Sequence, residues 1–215
     1  QVVQFAYNAN GDVLSMTDGG GKVTAYSYDA NVNLLQERDP AGNTIDRTYG
    51  SKNELLTETH YLVPDPDGAG SGTASSPVTT RYAYNSANHL RFTVSAEGNV
   101  TEYQYNAYGQ QVSAIVYPAN SYNISGLASN VSIAEATLAG WVASIADRST
   151  VRRTDTTYDF RGNIATVTSY SAATSAGIGL LTANYSRMTY IYDQFGNLLK
   201  RQSNSSPASE TFVYD

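Results

Sequence analysis

Aromatic residues stand two apart along much of the chain. Phe5 and Tyr7, Tyr26 and Tyr28, Tyr82 and Tyr84, Tyr103 and Tyr105, and Tyr190 and Tyr192 form such pairs. Thr156 and Tyr158, and Phe212 and Tyr214, keep the same spacing. A period of two places both side chains on one face of a β-strand. Asp or Asn follows most of these tyrosines, as at Asn8, Asp29, Asn85, Asn106, Asp159 and Asp193. Such a side chain bonds the local backbone and opens a turn. Four residues after the tyrosine stand Gly11, Gly109, Gly162 and Gly196, which supply a positive φ. Asn33, Asn53 and Asn88 stand at or next to that place, and Asn is the next residue to tolerate it. An apolar pair such as Leu34-Leu35 or Leu198-Leu199 then begins a return strand.

The pattern is periodic. Tyr7, Tyr28 and Tyr49 are 21 residues apart, as are Tyr84 and Tyr105. Tyr158, Tyr192 and Tyr214 are the later members. A second turn closes each repeat. Asp39-Pro40-Ala41-Gly42 has proline preset at its second position, and Asp18-Gly19-Gly20-Gly21 and Ser95-Ala96-Glu97-Gly98 occupy the same register. One repeat is therefore strand, turn, strand, turn. The expected fold over residues 1–215 is all-β: consecutive antiparallel hairpins in one continuous curved sheet.

Three intervals are too long. Tyr49 to Tyr84 exceeds the period by 14 residues, Tyr105 to Tyr158 by 32, and Tyr158 to Tyr192 by 13. In each of these repeats a tyrosine stands 12 residues after the key one: Tyr61, Tyr117 and Tyr170. Uninterrupted repeats carry Gly19, Pro40 and Ala96 there. The insertions, about 62–78, 118–153 and 171–186, are thus expected to replace the same turn and leave by one edge. The second holds a helix over about 132–147. Ser132-Ile133-Ala134-Glu135 fits a capping box, and Leu138, Trp141, Val142 and Ile145 form an apolar stripe. A recognition surface is expected on this decorated edge.

Composition narrows the chemistry. Charged residues are 15% of the chain, against roughly 25% in typical soluble domains. The net charge of −6 argues against a nucleic-acid partner. There are no cysteines, so disulfides and thiolate metal sites are excluded. No apolar run approaches the ~18 residues of a membrane span. Asp65-Pro66-Asp67-Gly68 lacks the remaining ligands of a calcium loop, and Asp18 to Lys22 lacks the spacing of a phosphate loop. His60 and His89 belong to no metal-ligand pattern. No catalytic, metal or cofactor site is expected. The chain opens at Gln1 and stops at Asp215 within a repeat, and is read as a piece of a longer polypeptide.

The Tyr-Asp-x-x-Gly-Asn-Leu-Leu text, clearest at 192–199, resembles the YD-repeat or Rhs family. The resemblance covers nearly the whole chain outside the insertions. It implies a hollow β-sheet shell. It also implies a bacterial secreted or surface protein whose partners are the rest of the same shell and an enclosed C-terminal toxin. Adhesion through cell-surface glycans or a receptor is the alternative, since teneurin-type relatives use a similar shell. The paired aspartates of the family's self-cleaving members have no counterpart here. About 14 strands at roughly 4.8 Å make a strip ~67 Å wide, only ~21 Å across if closed. A 100-residue cargo has a radius of gyration of about 13 Å, so the piece is read as part of a wall.

Overall fold

The computed structural model describes residues 2–65, 73–206 and 209–214. It is nearly all-β, with fifteen strands and one helix. The sheet order is the sequence order from first strand to last, with no crossover. The strands are β1 Gln4–Tyr7, β2 Val13–Thr17, β3 Val23–Tyr28, β4 Leu34–Arg38, β5 Thr44–Tyr49, β6 Leu55–Val63 and β7 Ser75–Tyr84. They continue with β8 Leu90–Val94, β9 Asn99–Tyr105, β10 Gln111–Ser121, β11 Arg152–Tyr158, β12 Ile164–Tyr170, β13 Tyr185–Tyr192, β14 Leu198–Ser203 and β15 Ser209–Thr211. The helix α1 spans Glu135–Ser144. The chain divides into two compact bodies: residues 1–88, 93–97 and 124–134, and residues 89–92, 98–123 and 135–215.

One turn recurs in both bodies. Asp29 Oδ1 accepts from the N–H of Asn31 at 2.8 Å and of Asn33 at 2.9 Å. The Asn33 amide donates back to Asp29 Oδ2 at 2.9 Å. Asp159 and Asp193 close their turns with the same bonds. Asn8 and Asn106 accept the same two backbone bonds, but their own amides donate to Asp12 and Gln110. The second turn reuses the device at Asp39, with Ala41, Asn43 and the Asn43 amide as donors. These bonds hold the Asp29 and Asp39 carboxyls below the usual carboxylate range, the Asn33 and Asn43 side-chain amides foremost.

The position four after the key tyrosine has positive φ in seven repeats: Gly11, Val32, Asn53, Asn88, Gly109, Gly162 and Gly196. In the second repeat the residue is Val32, at φ 66°, and Asn33 at plus five closes the turn as the plus-five residue does elsewhere. A β-branched residue is strained there.

The apolar pair after the turn is a β-bulge. Ser27 faces Gln36 while Tyr28 faces Leu34, so Leu35 is an extra residue. The register shifts at the same place beside Tyr7, Tyr49, Tyr105, Tyr158 and Tyr192. A bulge shifts the phase of the strand by one residue. Two adjacent apolar residues therefore fit where strict alternation allows one.

The interior of the first body is largely threonine. Thr24, Thr44, Thr57, Thr59 and Thr79 are buried with Ala83, Val94 and Ile133. The Thr48 and Thr57 hydroxyls bond at 2.7 Å, and those of Thr59 and Thr79 at 2.9 Å. Such pairs satisfy each other, so a low-hydrophobicity sheet buries hydroxyls without leaving them unpaired. The second body has an apolar core of Phe92, Val100, Ile115, Tyr117, Leu138, Val142 and Val151. Fully burying an aliphatic side chain contributes about 1.5–3 kcal/mol, which fixes α1 through Leu138 and Val142.

The helix is shorter than the capping pattern suggests. It begins at Glu135, after a segment tied to Arg81. The buried Arg81 donates to the carbonyls of Val131 at 2.9 Å, Ala128 at 3.0 Å and Leu127 at 3.4 Å. The strands at the first insertion run further than a loop reading implies. Tyr61 pairs with Pro77 and Val63 with Ser75, so the hairpin arms extend into residues 62–78. Pro66, Asp67 and Gly68 of the calcium-like text lie outside the described residues.

Candidate functional site: tyrosine anchors and a turn-side groove

Three of the key tyrosines join their repeat to the one before it. Tyr49 donates its hydroxyl hydrogen to the Leu34 carbonyl at 3.1 Å, and Tyr105 to the Leu90 carbonyl at 2.8 Å. Tyr158 donates to the Gln111 carbonyl at 2.8 Å. Each acceptor is the first residue of the preceding repeat's return strand, beside the bulge. Burial raises the Tyr49 and Tyr105 hydroxyls above the ordinary tyrosine range, and does the same at Tyr28, Tyr84 and Tyr192. Tyr7, in β1, is 57% exposed.

The tyrosines at plus twelve have a partner that the sequence reading missed. Tyr61 donates to Asp46 Oδ2 at 2.7 Å. Tyr117 donates to Glu102 Oε2 in a short bond. Tyr170 is coupled to Asp155. Each acid stands three residues before a key tyrosine. The uninterrupted repeats carry Gln4, Ala25 and Arg81 there. An acid at minus three thus accompanies a tyrosine at plus twelve in all three interrupted repeats. Burial, reinforced by Asp46, pushes the Tyr61 hydroxyl up to about 12. Burial and Glu102 likewise raise Tyr117, and burial and Asp155 raise Tyr170.

The rings of two of these tyrosines seat the insertions. The Trp141 ring of α1 meets Tyr117 edge-on at 5.5 Å and Tyr122 at 6.1 Å. In the third insertion, Gly179 lies so close to the Tyr170 ring that an added Cβ would collide with it. The hydroxyl is tied to the sheet and the ring receives the insert, so the residue is an anchor.

The carboxylates are fully engaged. Glu102 is 3% exposed and accepts from Tyr117, from Arg91 at 2.8 Å and from Gln104 at 2.8 Å. Burial alone would raise its pKa, but these donors and the Arg91 charge together hold it below the usual range. Asp155 accepts from Ser113 at 2.6 Å and Arg153 at 2.7 Å. Glu102, bound this way, is stabilised as the anion. His60 sits 3.2 Å from Glu58, and the His89 ring lies 4.8 Å from the Tyr105 ring. No group of three or more metal-ligating side chains occurs among the described residues.

A concavity lies in the second body, beside the short turns after the key tyrosines rather than on the decorated edge. It measures about 910 Å³ and runs between the turns after Tyr105 and Tyr158. Gln104, Tyr108, Thr156, Phe160 and Arg161 are among its walls. That volume falls within the range of small-ligand sites, about 300–1,000 Å³. No sequence signal pointed to it, because Tyr108 and Phe160 stand at different offsets in their repeats.

Residues 7–44 match the family model for the RHS Repeat. The likeness to the YD-repeat or Rhs family thus rests on the two earliest repeats as well as on the text at 192–199. No curated protein matches the chain. Among solved structures, TcdB2-TccC3-Cdc42 is 12% identical over 99% of this chain, with a TM-score of 0.48. TcdB2-TccC3 without its hypervariable C-terminal region is 12% identical over 99%, with a TM-score of 0.40. TcdB2-TccC3 is 13% identical over 94%, with a TM-score of 0.43. The chain spans about 12% of the length of those chains.

Proposed function

We propose that this chain, which carries the RHS repeat, is a non-catalytic wall segment of a larger secreted or surface shell that encloses or delivers a C-terminal toxin. The observation that carries the reading is the addition rule of the sheet. Every strand pairs with its sequence neighbours, and in three repeats the key tyrosine bonds the return strand of the one before. A sheet built this way grows by repeating one step. The engaged carboxylates and the key tyrosines then have structural work only.

The test is to express the whole reading frame that encodes this chain and image it by electron cryomicroscopy. The expected result is a hollow shell with this segment in its wall, and a C-terminal region that resists protease until the shell is opened. A solid particle, or a C-terminal region cleaved as fast as free peptide, would overturn the reading.

A further inference from the structure

A small cavity of about 50 Å³ lies where the second and third insertions meet the sheet. Glu102, Gln104, Tyr117 and Arg153 line it from the strands, Arg148 from the second insertion and Gly177 from the third. The two insertions are tied together beside it. The Arg148 N–H donates to the Ser175 carbonyl at 2.9 Å, and Arg153 Nη1 donates to the Gly177 carbonyl at 3.1 Å. All of these residues belong to the second body.

One charge on the wall is unanswered. Glu102 is paired with Arg91 at 2.8 Å, and its oxygens accept from Arg91, Gln104 and Tyr117. Arg153 is paired with Asp155 at 2.7 Å. Arg148 interacts with the Tyr117 hydroxyl, a neutral group, and has no ion pair among the described residues. Its Nε is buried and has no hydrogen-bond partner among the described residues. A buried N–H and a partly buried charge both cost free energy when unpaired. Further donors stand nearby. Arg153 keeps one N–H on each Nη beyond those given to Gly177 and Ser113, and Gln104 keeps one beyond that given to Glu102.

The size and charge of the space select its occupant. A cation would meet two guanidinium groups. A water's share of liquid volume is about 30 Å³, so the cavity holds little more than one particle of that size, and a sulfate or phosphate with four oxygens is too large. A water would satisfy the Nε–H but leave the Arg148 charge unanswered. A halide is close to water in size and supplies the missing charge.

We propose that this cavity binds one chloride ion, held by Arg148 Nε with Arg153 and Gln104 as further donors. The ion ties the second insertion, through Arg148, to the strands that carry Arg153 and Gln104, and so links the seating of the decorated edge to chloride. The site stands on the second body alone and does not depend on the wall reading.

The full 215-residue chain is unfolded in urea across a chloride series in which sodium gluconate holds the ionic strength constant, so that screening does not change. Wild type, R148Q and R201Q are compared. Arg201 is 46% exposed and paired with Glu210 away from the cavity, so R201Q is the surface control. In wild type and R201Q the folded-to-unfolded ratio should rise with chloride, approaching about tenfold for each tenfold increase once the site fills, as linkage requires for a ligand bound only by the folded state. In R148Q the rise should be lost. Crystals grown in sodium bromide give a readout that needs no variant, with an anomalous bromide peak expected within hydrogen-bond distance of Arg148 Nε. Stability indifferent to chloride, an equal rise in R148Q, or an anomalous map without a peak in the cavity would overturn the proposal.

Discussion

Tyr117 donates its hydroxyl hydrogen to Glu102, fifteen residues earlier in the chain, and both side chains are buried. Tyr61 and Asp46 repeat the relationship at the first insertion, at 2.7 Å and in a half-buried setting. The difference in burial sets the expected energies. A hydrogen bond to a buried carboxylate is worth about 1.5–3 kcal/mol, so Tyr117→Phe should lower stability by that amount. Tyr61→Phe should cost about 0.5–1.5 kcal/mol. Urea unfolding of the two variants checks the order. Equal losses would mean that the hydroxyl bonds are not what anchors the insertions.

The legible part of this fold is the part written in single residues. The key tyrosines, the turn acids and the glycines at plus four each stand at a fixed offset, so the hairpin repeat and all-β class could be read directly. Val32 was hidden because its type contradicts its conformation, and the neighbouring Asn33 drew the turn assignment. The bulge was visible only as an apolar pair, which alternation alone cannot explain. The acid at minus three was missed because it has no local role. Its partner lies across the ladder, so the signal is a co-occurrence between interrupted repeats. The groove is further from view still, since it forms where two unrelated turn-tip aromatics face one space.

Val32 offers a stabilising substitution. It sits at φ 66°, is 51% exposed, and so gives up little packing on truncation. A non-glycine residue in the left-handed region costs roughly 1–2 kcal/mol, and glycine's extra unfolded-state freedom returns about 0.5–1 kcal/mol of that. Val32→Gly should therefore stabilise by up to about 1 kcal/mol, read as a rise in the urea midpoint with an unchanged slope. A fall in the midpoint would show that the valine side chain holds the turn through contacts that outweigh its strain.

Gly11 and Gly98 separate strain from space. Both have positive φ, at 93° and 83°. Nothing lies near a Cβ added at Gly11, whereas one at Gly98 would collide with the Tyr122 carbonyl. The approach is close because the Tyr122 N–H donates to the Gly98 carbonyl at 2.8 Å. Gly11→Ala should cost about 1 kcal/mol from conformation alone. Gly98→Ala should cost at least twice as much and raise amide exchange at Tyr122. Matching losses at the two sites would remove the contact as a cause.

Arg81 is 3% exposed and serves four backbone carbonyls, those of Thr79, Leu127, Ala128 and Val131, rather than an acid. Desolvation lowers its pKa, yet a guanidinium stays charged at neutral pH. Its fork spans carbonyls that a lysine's single ammonium cannot reach together. Arg81→Lys and Arg81→Ala should both destabilise, by about 2–4 kcal/mol for alanine. Hydrogen exchange should show protection lost first over 127–131. Uniform loss across β6 and β7 instead would place the role of Arg81 in the sheet.

The protonation shifts predict a stability plateau with two shoulders. Glu102 and Glu58 have folded pKa values below their unfolded ones. Burial opposes this at both, but is outweighed by donors from Tyr117, Gln104 and Arg91 at Glu102 and from Arg47 and His60 at Glu58. A depressed carboxyl contributes stability above its unfolded pKa and loses it as pH falls through the folded value. The acid shoulder should begin below about pH 4.5. The tyrosines shift the other way. Burial raises Tyr49, Tyr61, Tyr105, Tyr117 and Tyr170, with Tyr61 at about 12. Their contribution is complete below the unfolded tyrosine pKa of about 10 and is lost as pH rises through the folded values. Urea midpoints should therefore fall above about pH 10, and the tyrosinate absorbance of these five should rise with unfolding rather than before it. Titration of these five near pH 10 in the folded chain would mean that their hydroxyl bonds do not form in solution.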